Sequence, residues 1–328
     1  MKNMNIAFAG FRHSHILGLY DSCLKEPEVH IIGCFENDNE AKNAVASSHT
    51  IEFNYNFYDE ILNDKNVDAV AIGDYYGIRG QLVIKALKAG KHVICDKPIC
   101  TQIEELDVIE RLTAEKNLQV CCMLDLRYMP QIPKVCEIIK NGEVGEILNI
   151  SFTGQHFLDY GNRPSWYFEA GKHGGTINDI AIHGIDLIRF ITGKNLSAIN
   201  YAGVRNAFAS KEPNFKDSAH LIADFGTIRV MGDVSYAAPG FEGILPTYWD
   251  FYFWGTKGMI NFNYKSRDIR IYKKACETIE CEERKPGYLR DFMKEIAGEK
   301  TMMNTCGILQ SQRQALEIQC FADQADKK

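Results

Sequence analysis

The chain has 328 residues, of which 45% are hydrophobic and 24% charged, a length that exceeds one ordinary core and a balance typical of a globular protein. A formal charge of −6 argues against nucleic acid or an anionic membrane as the main partner. No stretch approaches the ~18 uninterrupted apolar residues of a membrane span, and the opening apolar run is too short for a signal peptide, so the cytoplasm is the expected compartment.

Eleven cysteines without a single C-x-x-C read as reduced thiols, not as metal ligands or a disulfide framework.

Residues 4–10 form an apolar run ending in glycine, and 14–24 continue with helical periodicity. The pattern then alternates: strand at 29–35, helices at 39–47 and 58–63, strand at 67–72, helix at 79–89, strand at 92–95, helix at 103–115 and strand at 118–124. Strands alternating with helices predict a doubly wound parallel sheet of the Rossmann kind over residues 1–124, whose ligands bind outside the C-terminal strand ends. A second, α+β domain is expected over 125–328. Its helix at 127–141 and turn at 142–145 lead to strands at 147–157, 196–204, 219–225, 228–236, 248–256, 259–264 and 269–273. Short glycine turns between them predict a large, mostly antiparallel open sheet, followed by an amphipathic helical tail over 288–325.

The strand ends carry the candidate chemistry. The first turn reads Gly10-Phe11-Arg12-His13-Ser14-His15 and keeps only the first glycine of G-x-G-x-x-G. Arg12 stands where a glycine lets backbone approach a pyrophosphate, so this basic side chain either holds phosphate or fills the site. Glu36, ending the second strand, is placed to accept ribose hydroxyls and would repel a 2′-phosphate, which favours NAD over NADP. After the strand at 92–95 come Asp96, Lys97 and Pro98, with the lysine ammonium at the crevice edge. A partly desolvated lysine there could act in proton transfer; a solvated surface charge is the alternative.

Residues 174–193 read GGTINDIAIHGIDLIRFITG. As an α-helix over 178–191, Asp179, His183 and Asp186 fall within about 60° of one another, while isoleucines and leucines cover most of the remainder. Such a helix is buried, and its polar stripe needs partners or a wet pocket. Asp179 could equally be a helix-terminal charge and His183 a hydrogen-bonded core histidine. The irregular stretches 159–166 and 237–246 are expected to frame a pocket, with Arg163 and Trp166 offering hydrogen bonds and an apolar platform; Trp166 could also be core.

Taken together, the glycine turn, the acid after the second strand, the G-K-H-V-x-x-[DE]-K-P segment and the later G-G-x-x-x-D-x-x-x-H-x-x-D resemble the Gfo/Idh/MocA oxidoreductases over essentially the whole chain. The resemblance implies that Lys97, Asp179 and His183 are catalytic. It implies that Gly10, Phe11, Arg12, His13, Glu36, Asp74, Arg79, Asp96 and Lys97 lie along the cofactor, NAD. Arg127, Arg163, Trp166, Asp179 and His183 are then the expected substrate contacts. Asp125, Arg127 and Tyr128 align with the family's N-x-R-F segment, and residues 74–79, DYYGIR, stand where many members read T-P-N-x-x-H. The implied reaction is NAD-dependent hydride transfer at a secondary alcohol of a sugar, cyclitol or related polyol. A homodimer or homotetramer built through the C-terminal sheet goes with it. Two other readings share the fold: NAD-assisted glycoside cleavage, and a sugar-binding protein that has lost the dinucleotide. No metal is expected, because a set built from Asp179, His183 and His156 is not demanded by any spacing.

Overall fold

The computed structural model describes residues 3–240, 248–283 and 287–326. The chain divides into two compact units: Met1–Met123 with Gly171–Gly174 and Gly287–Arg313, and Leu124–Ala170 with Gly175–Pro286 and Gln314–Lys328. The segments 171–174 and 287–313, which a single boundary after residue 124 assigns to the second domain, thus cluster with the first.

In the first unit, β1 (Met4–Ala9), β2 (Val29–Phe35), β3 (Ala69–Ile72), β4 (His92–Cys95) and β5 (Val120–Cys122) form one parallel sheet in the order β2-β1-β3-β4-β5. Every residue of β3 is buried, as parallel strands covered on both faces require. The crossovers are α1 (His15–Leu24), α2 (Asn39–Ala46), α3 (Tyr58–Asn63), α4 (Tyr76–Lys88) and α5 (Ile103–Lys116). Asp38 starts α2 by accepting the Ala41 N–H at 2.8 Å, and Asn117 ends α5 in the left-handed conformation. α4 begins three residues earlier than its periodicity suggests, which brings Tyr76 and Arg79 onto its first turn. Helix α8 (Tyr288–Ile296) and the start of α9 (Thr305–Asp326) complete this unit; Gln312 accepts the Ile99 N–H at 2.8 Å.

The second unit opens with a 3₁₀ turn at Asp125–Tyr128 and α6 (Ile132–Lys140). The continuous helix expected from residue 127 is interrupted because Pro130 lacks an N–H and biases Met129 to an extended ψ of 140°. Eight strands follow: β6 (Ile147–Gln155), β7 (Leu196–Arg205), β8 (Ser218–Phe225), β9 (Ile228–Ser235), β10 (Trp249–Gly255), β11 (Met259–Asn263), β12 (Asp268–Tyr272) and β13 (Cys276–Glu280). Their order is β13-β12-β11-β10-β6-β9-β8-β7, all neighbours antiparallel except β6 and β9. β13 carries no buried residue, and with Ile279 as its single aliphatic residue it shows no alternating pattern.

One face of this sheet is aromatic and buried: Phe152, Phe251, Phe253 and Phe262 are at most 1% exposed, and the Phe251 and Phe262 rings stack at 5.2 Å. Each such side chain contributes roughly 1.5–3 kcal/mol by leaving water. Against this face lies α7 (Ile182–Thr192), buried on nearly all sides and ended by the left-handed Gly193. Gly184 makes the contact possible, since a Cβ there would lie 2.4 Å from the Phe152 ring.

Candidate active site

In the first unit, β1 delivers the chain to Gly10, whose φ of +82° is open to glycine and whose added Cβ would sit 2.7 Å from Asp74. The turn is held by Glu36: one carboxylate oxygen accepts the Phe11 N–H, the other the N–H groups of Asn37 and Asp38 at 2.9 and 2.8 Å. Arg12 points its guanidinium to the same region, 3.4 Å from Glu36 and 3.2 Å from Asp38. Glu36 is only 2% exposed, so this expected cofactor contact is occupied in shaping the turn. Ser14 and His15 are exposed at the N-terminus of α1, whose dipole favours an anion, although the Ile16 and Leu17 N–H groups are bonded to the His13 and Ser14 carbonyls.

Arg79 is fully buried. Its Nε donates to the Asp74 carbonyl at 2.6 Å, and Nη1 reaches the carbonyls of Asp96, Lys97 and Pro98 at 3.0, 2.6 and 3.2 Å, around a cis Lys97–Pro98 bond. Nη2 pairs with the Asp96 carboxylate at 3.1 Å. Arg79 and Asp96, expected beside the cofactor, have no exposed surface, and both hold the loop that carries Lys97. Lys97 lies 5.9 Å from the centre of the Tyr76 ring and is 3% exposed.

The same Asp96 oxygen that pairs with Arg79, Oδ2, also accepts Nδ1–H from His13, while His15 Nδ1 lies 3.5 Å from Oδ1. Burial drives the His13 imidazole down to about 3, against the pull of Asp96. Burial also disfavours the Asp96 charge, but His13 and Arg79 outweigh it and hold the carboxyl well below the usual range. With Arg79 as the permanent cation, the resting state is an ionised Asp96 between a guanidinium and a neutral imidazole. Ligand-type atoms of His13, His15 and Asp96 lie within 4.8 Å of one another, but the guanidinium on Asp96 opposes a metal cation there. Asp74 is raised to about 6 by burial and by the charge of Glu36.

In the second unit, residues Ile177–Ala181 form a π turn, not the start of a regular helix, and α7 follows. The wider turn breaks the 100° spacing, so the three polar residues do not share one stripe with one partner. Asp179, 2% exposed, accepts the Tyr236 hydroxyl. His183 lies against the Trp249 ring at 5.7 Å and brings Nδ1 to 3.6 Å from the Asp125 carboxylate. Asp186 takes both arms of Arg127, at 2.7 and 2.5 Å. The turn itself is anchored by Gln319, which accepts the N–H groups of Ile177 and Asn178 at 2.9 and 3.2 Å.

The expected substrate contacts differ in their exposure. Arg127 is 3% exposed and spent on Asp186, and Trp166 is 3% exposed with its ring 4.2 Å from Tyr167, which makes it core. Arg163 stays partly exposed, donating to the carbonyls of Leu158 and Phe157 at 2.7 Å while covering Tyr167. Of the expected framing loop at 237–246, residues 241–246 lie outside the described residues. Tyr236 and Asp125 were missed as partners: they stand 57 and 58 positions from the residues they meet, beyond any local pattern. His156, Tyr248 and Trp249 extend the wall, with the His156 ring 4.5 Å from Tyr248 and 5.5 Å from Trp249.

Residues 4–124 match the profile of an oxidoreductase family with an NAD-binding Rossmann fold, and residues 132–261 match the GFO/IDH/MocA C-terminal domain. A levoglucosan dehydrogenase of Pseudarthrobacter phenanthrenivorans is 28% identical over 235 residues, covering 63% of this chain and 58% of that protein. A levoglucosan dehydrogenase solved with NADH and levoglucosan superposes with a TM-score of 0.80 at 21% identity, covering 100% of this chain and 98% of that one. An NAD-binding protein from Listeria innocua superposes at 0.78 with 19% identity and 99% of both chains covered. At these identities the superpositions show the fold.

Proposed function

Because the chain belongs to the GFO/IDH/MocA oxidoreductases, its first unit being their NAD-binding Rossmann domain, we propose that it transfers hydride between a secondary alcohol of a sugar, cyclitol or related polyol and NAD. The observation that carries the reading is the buried Asp179 and His183 pair, set beside an aromatic wall and held by Tyr236 and Asp125. A neutral, hydroxyl-rich ring suits such a surface, because hydroxyls satisfy the carboxylate and imidazole while the carbon skeleton lies on the aromatic faces.

The residues of the first unit fit a dinucleotide. The turn from Gly10 to His15 leads into the N-terminus of α1, which suits a pyrophosphate. Glu36 and Asp38 put two carboxylates at the end of β2, which disfavours a 2′-phosphate and selects NAD over NADP. NAD, when bound, supplies the hydride acceptor. His183 takes the hydroxyl proton during oxidation and returns it during reduction. Lys97, the cation of the first unit's Asp96-Lys97-Pro98 loop, suits the negative charge that develops in such a transfer, and Asp179, fixed by Tyr236, accepts a hydrogen bond from the substrate. The relatives' names support the substrate class, a levoglucosan dehydrogenase and a myo-inositol 2-dehydrogenase of Thermotoga maritima among them.

The outward face of the eight-stranded sheet exposes Tyr201, Met231, Trp254 and Tyr272 between 37% and 51%. In this reading a second copy covers it, and light scattering reports the assembly.

The test is nicotinamide reduction with a panel of neutral polyols, followed by Lys97→Met and His183→Asn on the best substrate. Each replacement is expected to lower kcat by about 10²-fold or more, the scale of a lost proton-transfer group. Turnover within a factor of two of the parent in either variant would overturn the assignment.

A further inference from the structure

Two contacts join the 3₁₀ turn at Asp125–Tyr128 to α7, and they are spaced to act together. Arg127 grips Asp186 through two hydrogen bonds, and both side chains are at most 3% exposed. Asp186 lies three residues beyond His183, one turn along the same helix, and Asp125 lies two residues before Arg127. The buried pair therefore fixes the turn against the helix at the height that sets Asp125 Oδ1 3.6 Å from His183 Nδ1. Breaking a buried pair by removing one partner is strongly unfavourable, so this registration is stiff.

We infer that Asp125 is the positioning residue of His183: its carboxylate, 3.6 Å from Nδ1, draws that nitrogen towards it and stabilises the imidazolium formed when the ring takes the substrate proton. The inference rests on the role proposed for His183 and extends it to a residue that touches no substrate. The second oxygen-bearing face of the turn also explains why Asp186, on the polar side of α7, is an acid at all: it anchors Arg127 and through it Asp125. Where the resembled N-x-R-F segment carries a neutral asparagine, this chain carries a charge.

Beside Asp125, several groups face the imidazole or its neighbours. Asp179 sits one turn earlier on the helix and is taken up by Tyr236. Asp186 and Arg127 neutralise each other. From β10, Trp249 packs on the ring and carries no charge, and Tyr248 is pushed up to about 12, chiefly by burial and by Asp179. Tyr264 is likewise raised by burial and by Asp125 itself, so both phenols stay neutral. His156 packs on Tyr248 and Trp249, and Arg163 acts on Tyr248 from the preceding loop. Asp125 is 44% exposed, so its influence is moderated by solvent but not removed.

The experiment is a histidine titration by NMR on ¹³C-histidine-labelled full chain. The His183 signal, one of nine, is identified by its loss in His183→Asn. Asp125→Asn, an isosteric neutral replacement, is expected to lower the His183 midpoint by about 0.7 of a pH unit or more, the effect of one charge at about 4 Å. Asp125→Glu is expected to restore most of it. On any polyol found to be turned over, the acid limb of kcat/KM should move by the same amount. A His183 midpoint unchanged in Asp125→Asn would overturn the inference whatever the enzyme's activity. Polyol turnover unchanged in His183→Asn, with the midpoint still shifting in Asp125→Asn, would instead overturn the proposed function and leave the pairing intact.

Discussion

At the scale of single residues, the first unit is built around a buried charge: Asp96 Oδ2 accepts from both Arg79 and His13, and His15 lies 3.5 Å from Oδ1. Arg79 stands where the resembled motif has a histidine, and its length lets one guanidinium hold three consecutive carbonyls of the loop that carries Lys97. His13 makes this cluster pH-sensitive. Its folded value of about 3 lies below the ~6.5 of an unfolded histidine. Between those values the unfolded chain binds a proton that the folded chain refuses, so the stability His13 contributes is complete above ~6.5 and is lost as pH falls towards 3. Compared with His13→Gln, the wild type should lose up to about 1.4 kcal/mol of relative unfolding free energy per pH unit below ~6.5. Denaturant titrations at pH 7.5, 6 and 5 measure this, and parallel curves for the two proteins would show that the imidazole titrates normally. Such roles were partly legible in the sequence. Lys97, Asp179 and His183 stand out because their motifs are local, but Tyr236, Asp125 and the anchoring roles of Arg79 and Arg127 depend on side chains brought together by the sheets, which no local spacing encodes.

At the scale of elements, periodicity located nearly every strand and helix, because alternation and apolar runs are what a half-buried or doubly covered strand requires. It failed where backbone chemistry overrode side-chain pattern. Pro130 split the expected helix at 127–141, β13 has Ile279 as its single aliphatic residue, and the π turn at Ile177–Ala181 redirected Asp179 within a segment that reads as plain helix. The packing of α7 on the sheet shows the same dependence on tertiary fit. The Phe152 ring is confined between Gly184 on the helix and Gly232 on β9, each of which would bring a Cβ within 2.5 Å of it. Gly184→Ala gains helix propensity, worth roughly 1 kcal/mol. It also forces the ring or the helix to move, and overpacking of this kind costs about 1–3 kcal/mol. Net destabilisation is therefore expected, read as a lower denaturant midpoint with an unchanged slope. Because His183 adjoins Gly184, the displacement should also depress turnover. A stabilised Gly184→Ala protein would show that Phe152 has room to yield.

At the scale of the whole molecule, each unit has its own sheet: a parallel one whose C-terminal edge carries the Gly10 turn proposed for the dinucleotide, and an antiparallel one that backs Asp179 and His183. The acidic net charge of −6 places no demand on partners, so the energetic signature of function is sought in the cofactor. A ligand that binds only the folded state raises stability by RT ln(1 + [L]/Kd), about 2.7 kcal/mol at one hundred times Kd. With calorimetry supplying Kd for NAD, that increment converts to a Tm rise of about 4 °C if the chain of 328 residues melts as one cooperative body. If the first unit, roughly half of the chain, melts independently, its own transition should rise by about 8 °C while the second stays in place. The size of the shift thus reports whether the units are thermodynamically coupled as well as whether NAD is bound. The carboxylates of Glu36 and Asp38 add a discrimination: NADP at the same concentration should give a smaller rise, and Glu36→Ala should narrow the gap while lowering stability through the lost Phe11, Asn37 and Asp38 contacts. Equal shifts with NAD and NADP would mean that the acids at the end of β2 shape the turn without reading the cofactor, and no shift with either would remove the dinucleotide from the proposed reaction.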